Sequence, residues 1–416
     1  MFARLFFNLS LVSMVSLASP VHAGDEDAIQ IFVSKDLQSL VVYEGGTPIA
    51  TSKVSTGKPG HTTPSGIFSV LEKRKSHFSR KYDNAPMPWM QRLTWSGIAL
   101  HESSSVPDYP ASHGCIRMPR DFAKSLYSIT KRGYHVVISD RPVVPQAIVH
   151  ENLFSPRIAI PAEFLSDAEM RPTASLKAGS ELALAEVPPK AGAVAIAALP
   201  KPQEAVRMLV TRAPQSVAVA DAQSILNQLG YDTGGVTGIV GRKTRAAISA
   251  FQALHGHEVT GTFNGKLTTA LYRMVNRAPP ANGRIFVRRN FKPVYDAAVE
   301  IASPEISLGT HFLVASRVNA AQRSAEWHAV SLDNPLGDKT RARLGITAES
   351  DPLAPDSASA ALDRLVIAPD VRVEIEKMLG NGSSLTISDI WSPDETGLGT
   401  DFITILNRPA SRPEDG

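Results

Sequence analysis

Between residues 142 and 220 the chain carries ten prolines and seventeen alanines in 79 positions, and that stretch divides everything around it. Pro188, Pro189, Pro200 and Pro202 lack the amide hydrogen that helices and sheets require, so long regular elements are precluded there. The stretch reads as an extended linker, with 158–165 apolar enough to pack on a neighbour. The 416 residues therefore split into two or three compact units. With 43% hydrophobic and 20% charged residues, those units are ordinary globular ones. A net charge of +3 is too small for a nucleic-acid binder, and no nucleic acid is expected as a partner.

The first residues point to a compartment. After Arg4, residues 5–18 form an apolar run. Fourteen helical residues cover only about 21 Å at ~1.5 Å each, short of a ~30 Å hydrocarbon core. Val21-His22-Ala23 follows as a small-x-small site, and then the acidic Asp25-Glu26-Asp27. We read 1–23 as a secretory signal peptide cleaved after Ala23. The mature chain is expected to be exported to the periplasm or cell envelope, with no membrane span.

Residues 28–141 are rich in short alternating β runs, at 29–33, 40–43, 67–70 and 135–138. Gly45-Gly46 marks a hairpin, and 121–127 is helical in pattern. Residues 221–275 form a small all-α three-helix module with an internal repeat. Val236-Thr237-Gly238 recurs as Val259-Thr260-Gly261, each opening a helix (244–254 and 267–274), and a third helix at 222–229 ends at Gly230. Residues 283–408 return to β-type runs, with a helix at 371–379. The predicted fold class is multidomain: a mainly-β first domain (barrel or sandwich), the all-α module, and a C-terminal α+β, β-rich domain.

Cys115 is the one cysteine of the chain. That excludes an intrachain disulfide and a cysteine-based zinc cluster, and it makes an exported thiol conspicuous. It lies in Ser112-His113-Gly114-Cys115-Ile116-Arg117. Upstream, Ile98-Ala99-Leu100 reads as a buried strand delivering His101 at its end. A free thiol is mostly protonated at neutral pH, and an adjacent imidazole can turn it into a nucleophile. His101 comes from a separate element and can face the sulfur, whereas His113 suits orienting the turn. Gly114 lets backbone amides approach a carbonyl oxygen as an oxyanion hole. Arg117 can stabilise a thiolate or hold a substrate carboxylate.

These residues carry a family resemblance. Ser55-Thr56-Gly57-Lys58-Pro59-Gly60 comes first, then Thr62-Thr63-Pro64-Ser65-Gly66-Ile67-Phe68, Met87-Pro88-Trp89, Ala99-Leu100-His101-Glu102 and finally Ser112 to Arg117. In that order, over 29–139, they resemble the YkuD-type catalytic domain of L,D-transpeptidases of bacterial cell-wall synthesis. The resemblance implies that Cys115 is the nucleophile and His101 the general acid/base, oriented by the backbone carbonyl of Glu102. It places the amides of His113, Gly114 and Cys115 around the oxyanion, with Ser112 and Arg117 in support and Met87 and Trp89 at the substrate. It further implies attack on a peptidoglycan tetrapeptide stem, at the carbonyl between the L-centre of a diaminopimelate-type residue and the terminal D-Ala. The resulting thioester passes to a second stem's amine, to a wall-attached lipoprotein, or to water. No metal or organic cofactor is needed. Family members often have glycine after the first histidine, so Glu102 predicts an atypical acceptor side. Lys73, Arg74, Lys75, Arg80 and Lys81 form either a hold for stem carboxylates or a solvated charged loop.

The repeat at 221–275 resembles a small peptidoglycan-binding module, with Thr237 and Thr260 where the usual turn has aspartate. On a linker of this length such a module would raise the enzyme's effective concentration near stems. The C-terminal stretch echoes the first domain: 283–287 matches 31–33, 308–312 matches 65–68, and 382–389 matches 133–140. We therefore expect 283–408 to be a degenerate second copy of the catalytic scaffold, without a cysteine. Two further readings stand beside the transpeptidase: an L,D-carboxypeptidase, in which water resolves the thioester, and a catalytically idle peptidoglycan-binding scaffold.

Overall fold

The structure is a computed structural model describing residues 29–79, 84–158, 203–390, 392 and 400–406. The expected signal peptide, Arg80, Lys81 and most of the proline-rich stretch lie outside the described residues. No described helix is long and apolar enough to cross a membrane.

The first half begins with β1 (Ile29–Ser34), β2 (Ser39–Glu44), β3 (Thr47–Lys53) and β4 (Gly66–Ser69). It continues through β5 (Glu72–Arg74), β6 (Phe78–Ser79), β7 (Ala85–Pro86), β8 (Met90–Arg92), β9 (Ala99–Glu102) and β10 (Ile116–Met118). Helix α1 (Arg120–Ile129) and β11 (His135–Ser139) close it. The second half starts with β12 (Gln146–Ile148) and β13 (Val206–Arg212). Helices α2 (Gln215–Gln228), α3 (Arg242–Leu254) and α4 (Gly265–Met274) follow. Then come β14 (Gly283–Arg289), β15 (Lys292–Ile301), β16 (Thr310–Asn319), β17 (Ser324–Leu332), α5 (Asp338–Leu344) and α6 (Ser357–Asp363). The chain ends with β18 (Leu365–Val366), α7 (Pro369–Glu376), β19 (Ser384–Ser388) and β20 (Thr404–Ile405).

The chain is multidomain and mostly β, with a helical module. One sheet has the order β20-β4-β11-β1-β2-β3, a second β10-β9-β8-β5, and an eight-stranded third β12-β17-β16-β19-β13-β14-β15-β18. Strand β1 is buried along both faces, so its Ile31-Phe32-Val33 run reflects packing on two sides rather than alternation. Ile31 and Val33 point into the core of the first half, while Phe32 joins a separate apolar cluster on the other face. The Gly45-Gly46 turn joins β2 to β3 with both residues at positive φ, 53° and 81°, as a primed hairpin turn demands. Helix α1 buries Ala123 and Leu126 against the same core and leaves its charged face outside.

The three helices of the module share a core built on Ile225, Leu226, Ile248, Phe251, Leu271 and Tyr272. Its repeat has a common cause. The Gln223 side-chain oxygen accepts the amides of Thr237 and Gly238, at 2.8 and 2.9 Å, and Gln252 does the same for Thr260 and Gly261, both at 2.9 Å.

The stretch from 142 to 220 holds more order than its composition predicts. It contains β12, all of β13 and the first turn and a half of α2, so the module's first helix begins at Gln215 and not at Ala222. Strand β13 pairs along its whole length with β14, from Val206↔Arg289 to Arg212↔Gly283. The module is therefore set between two neighbouring strands of the large sheet, and is not hung from a free linker.

Candidate active site

Cys115 and His101 come from the ends of two parallel neighbours. Strand β10 runs beside β9 with Ile116↔Leu100 and Arg117↔His101 as partners. Cys115, just before β10, packs against Ala99, Met87 and Met90. Ala99 and His101 are two apart on one strand, so their side chains share a face, and that face carries the thiol. Both Cys115 and His101 are 9% exposed.

The imidazole is fixed by its own strand. His101 Nδ1 lies 2.7 Å from the Glu102 carbonyl oxygen. A carbonyl can only accept, so Nδ1 carries the proton and Nε2 is left with its lone pair. Burial pushes the His101 pKa down to about 4; the Glu102 hydrogen bond raises it and the Arg117 charge lowers it further. The ring is neutral at physiological pH and able to take a proton. The thiol donates to the Gly97 carbonyl at 3.4 Å, so in this arrangement the sulfur keeps its hydrogen.

The turn before the nucleophile is held from two sides. Ser112 Oγ donates to the Cys115 carbonyl at 2.5 Å and accepts the Gly114 amide at 3.1 Å. Of the three amides expected at the oxyanion, that of Gly114 is thus engaged by Ser112. Gly114 adopts φ 113°, and a Cβ there would lie 3.0 Å from Ile98, so the position requires glycine. From the other side, the buried Thr63 hydroxyl donates to the Gly114 carbonyl and accepts from the Gly57 amide, both at 2.8 Å. Thr63 and Gly97 both lie in segments the sequence singles out, but neither is assigned work there, since contacts with backbone groups leave no mark on composition.

The remaining expected residues divide. Arg117 sits across from His101, and its backbone bridges Ser55 at 2.9 and 3.0 Å. His113 is exposed, its ring 4.7 Å from that of His61. Met87 lies against Cys115. Trp89 instead packs edge-on against Tyr127 of α1, with ring centres 5.4 Å apart, and against the first core. Lys73 is also spent on α1, donating to the carbonyls of Tyr127 and Thr130 at 2.6 and 2.5 Å, and Arg74 pairs with Glu72 at 2.6 Å. Two clefts, of about 230 and 470 Å³, adjoin the 57–65 loop between Lys35, Thr62 and Asp140. Among the described residues no group of three or more His, Cys, Asp or Glu side chains could hold a metal ion.

A thiol, a neutral imidazole on its face and a rigid glycine turn form the minimum of a cysteine acyl-transfer centre. Residues 28–138 match the L,D-transpeptidase catalytic domain family. Residues 215–271 match a peptidoglycan binding domain family. Among solved structures, an L,D-transpeptidase from Mycobacterium smegmatis is similar at 23% identity, over 27% of this chain and 59% of that one, with a TM-score of 0.26. One from Stackebrandtia nassauensis gives 28% identity over 29% and 59%, TM-score 0.26. One from Xylanimonas cellulosilytica gives 27% identity over 27% and 61%, TM-score 0.26. The chain thus spans about three-fifths of these structures. The family match rests on the sequence of residues 28–138. No curated protein matches the chain.

Proposed function

We propose that the chain is a cysteine-dependent L,D-transpeptidase of the cell envelope, acting on peptidoglycan tetrapeptide stems. The observation that carries the reading is the placement of Cys115 just before β10 and of His101 on its parallel neighbour β9, with the His101 tautomer set by the Glu102 carbonyl. As His101 Nε2 takes the thiol proton, sulfur attacks the carbonyl that precedes the terminal D-Ala. The C–N bond then breaks, the D-Ala amine leaves with the proton from His101, and a thioester is left on Cys115. An acceptor amine attacks the thioester, loses its proton to Nε2 and frees the thiol with a new amide bond. The peptide plane linking Gly114 to Cys115, aimed by Thr63, presents the Cys115 amide to the developing oxyanion. The 215–271 module supports peptidoglycan as the surface on which this happens. A second stem or a wall-attached lipoprotein can supply the amine, and export follows from the substrate's location.

Mass spectrometry of the purified protein and Cys115→Ala, each incubated with disaccharide-tetrapeptide, tests this reading. Cross-linked dimers with released D-Ala, lost in the variant, are expected. Tripeptide alone would assign a carboxypeptidase. No product, together with no penem adduct on Cys115, would sink the enzymatic reading and leave a wall-binding scaffold.

A further inference from the structure

The two large sheets share one strand plan. In the first half the order is β4-β11-β1-β2-β3, with β1 parallel to β11 and the other pairs antiparallel. In the second half β16-β19-β13-β14-β15 repeats that order and those directions. The ends coincide in chemistry as well. Lys35, just past β1, pairs with Asp140, just past β11, and Arg212, ending β13, pairs with Asp389, just past β19, both at 2.6 Å. Helices α1 and α7 start at the same spacing before those two aspartates.

By this plan the counterpart of β1 is β13 and not the strand at 283–289, which answers to β2. The helical module stands where the first half has its short turn from Lys35 to Gln38. Counted back from the two aspartates, Cys115 coincides with Arg364. That guanidinium donates to the carbonyls of Ala302, Ser303, Ile306 and Ser307, tying down a loop where the first half has its nucleophile.

The halves also exchange their ends. The chain leaving β11 crosses to the second half, where β12 pairs with β17 and the Phe154 carbonyl accepts the Trp327 indole N–H at 3.2 Å. The chain leaving β19 crosses back, where β20 pairs with β4 and the Leu406 amide donates to the Ser65 carbonyl at 2.9 Å. Near that crossing Asp401 accepts Ser69 of the first half at 2.8 Å and pairs with Arg207 of the second at 3.4 Å. Between the sheets, Phe32, Tyr43, Ile67 and Val137 share one buried cluster with Phe312, Val314, Val330 and Leu332. At the β2–β3 turn the approach is so close that a Cβ on Gly46 would lie 2.2 Å from the His328 ring.

We propose that the second half is a catalytically silent copy of the first and serves as its permanent intramolecular partner, clasped to it by reciprocal exchange of end strands. A sheet standing alone can leave one face to water only if that face is polar, and here both faces are apolar. The arrangement is that of an isologous dimer fused into one chain, and it fixes the module relative to the catalytic centre. It holds whether Cys115 transfers, hydrolyses or does neither.

The test cuts the folded protein. A protease recognition sequence placed within 159–202 of the full chain is cleaved after purification, so neither piece has to fold alone. The two fragments are expected to co-sediment at the mass of the uncut protein at micromolar concentration, and the uncut rate of penem acylation, where there is one, to persist within twofold. In cut Thr404→Pro, which removes a strand amide of β20, the fragments should separate at least tenfold faster. Fragments that part spontaneously after the cut would overturn the proposal, whatever their activity. Absence of acylation in the uncut protein would count against the enzymatic reading alone, because co-sedimentation does not depend on it.

Discussion

His101 gives its Nδ1 proton to the carbonyl of Glu102, the next residue of the same strand, 2.7 Å away. One backbone oxygen thereby decides which ring nitrogen keeps its lone pair, and the side chain of Glu102 has no part in it. The departure from glycine at this position therefore leaves the acid/base pair intact.

The His101 pKa of about 4 predicts a pH profile. Penem acylation of Cys115 should hold level as pH falls from 7 to 5, then drop roughly tenfold per unit once His101 protonates below about 4. Stability follows the same group. Because its folded pKa lies below the ordinary ~6.5, the unfolded chain binds the proton first. The stabilisation is complete above about 6.5 and is lost progressively toward 4. His135 and His311, also depressed by burial, act in the same direction. Stopped-flow acylation with parallel circular dichroism separates the two effects, and an NMR titration midpoint for His101 near 6.5 would refute both.

Thr63→Val keeps the shape of a buried side chain but leaves the Gly57 amide and the Gly114 carbonyl unpaired. Each buried orphan costs about 1–3 kcal/mol. The Gly114 carbonyl shares its peptide plane with the Cys115 amide, so loosening one misaims the other. We expect kcat to fall about 10- to 100-fold with KM little changed. A variant that loses stability yet keeps kcat would confine Thr63 to a structural role.

How much of this was legible in the sequence follows from where each signal lives. Cys115, His101 and Gly114 stand out because each brings rare chemistry to one place in the chain. Thr63, Gly97 and Gln223 do not, since their partners are backbone groups that only the fold brings near. Strand β13 is hidden by its surroundings: the seven residues Val206 to Arg212 sit near the end of a proline-rich run whose composition reads as linker. The contacts of Trp89 and Lys73 with α1 are invisible for a related reason, because the sequence alone does not say which helix an aromatic ring or an amine near a catalytic motif will meet.

That occupation gives a sharp contrast. Lys73→Met removes the ammonium that closes the last carbonyls of α1 and lies 4.2 Å from the Tyr127 ring centre. The site is partly exposed, so the expected loss is only about 1 kcal/mol. The acylation rate and the KM for tetrapeptide should not move. A KM raised severalfold at unchanged stability would return Lys73 to the substrate.

Gln223→Leu attacks the module alone. The side-chain oxygen holds the amides of Thr237 and Gly238, and the nitrogen reaches Thr244 Oγ1 at 2.9 Å and the Ile239 carbonyl at 3.0 Å. Leucine matches the size but satisfies none of these groups, so the turn should open at a cost of about 2–4 kcal/mol. The module lies between β13 and β14, whose pairing is continuous up to Arg212↔Gly283, so the sheet beneath should survive its loosening. Co-pelleting with purified peptidoglycan is expected to drop severalfold while penem acylation of Cys115 stays at the wild-type rate. Pelleting that survives in a variant whose module has lost its hydrogen-exchange protection would show that the sheets, and not the helices, hold the wall.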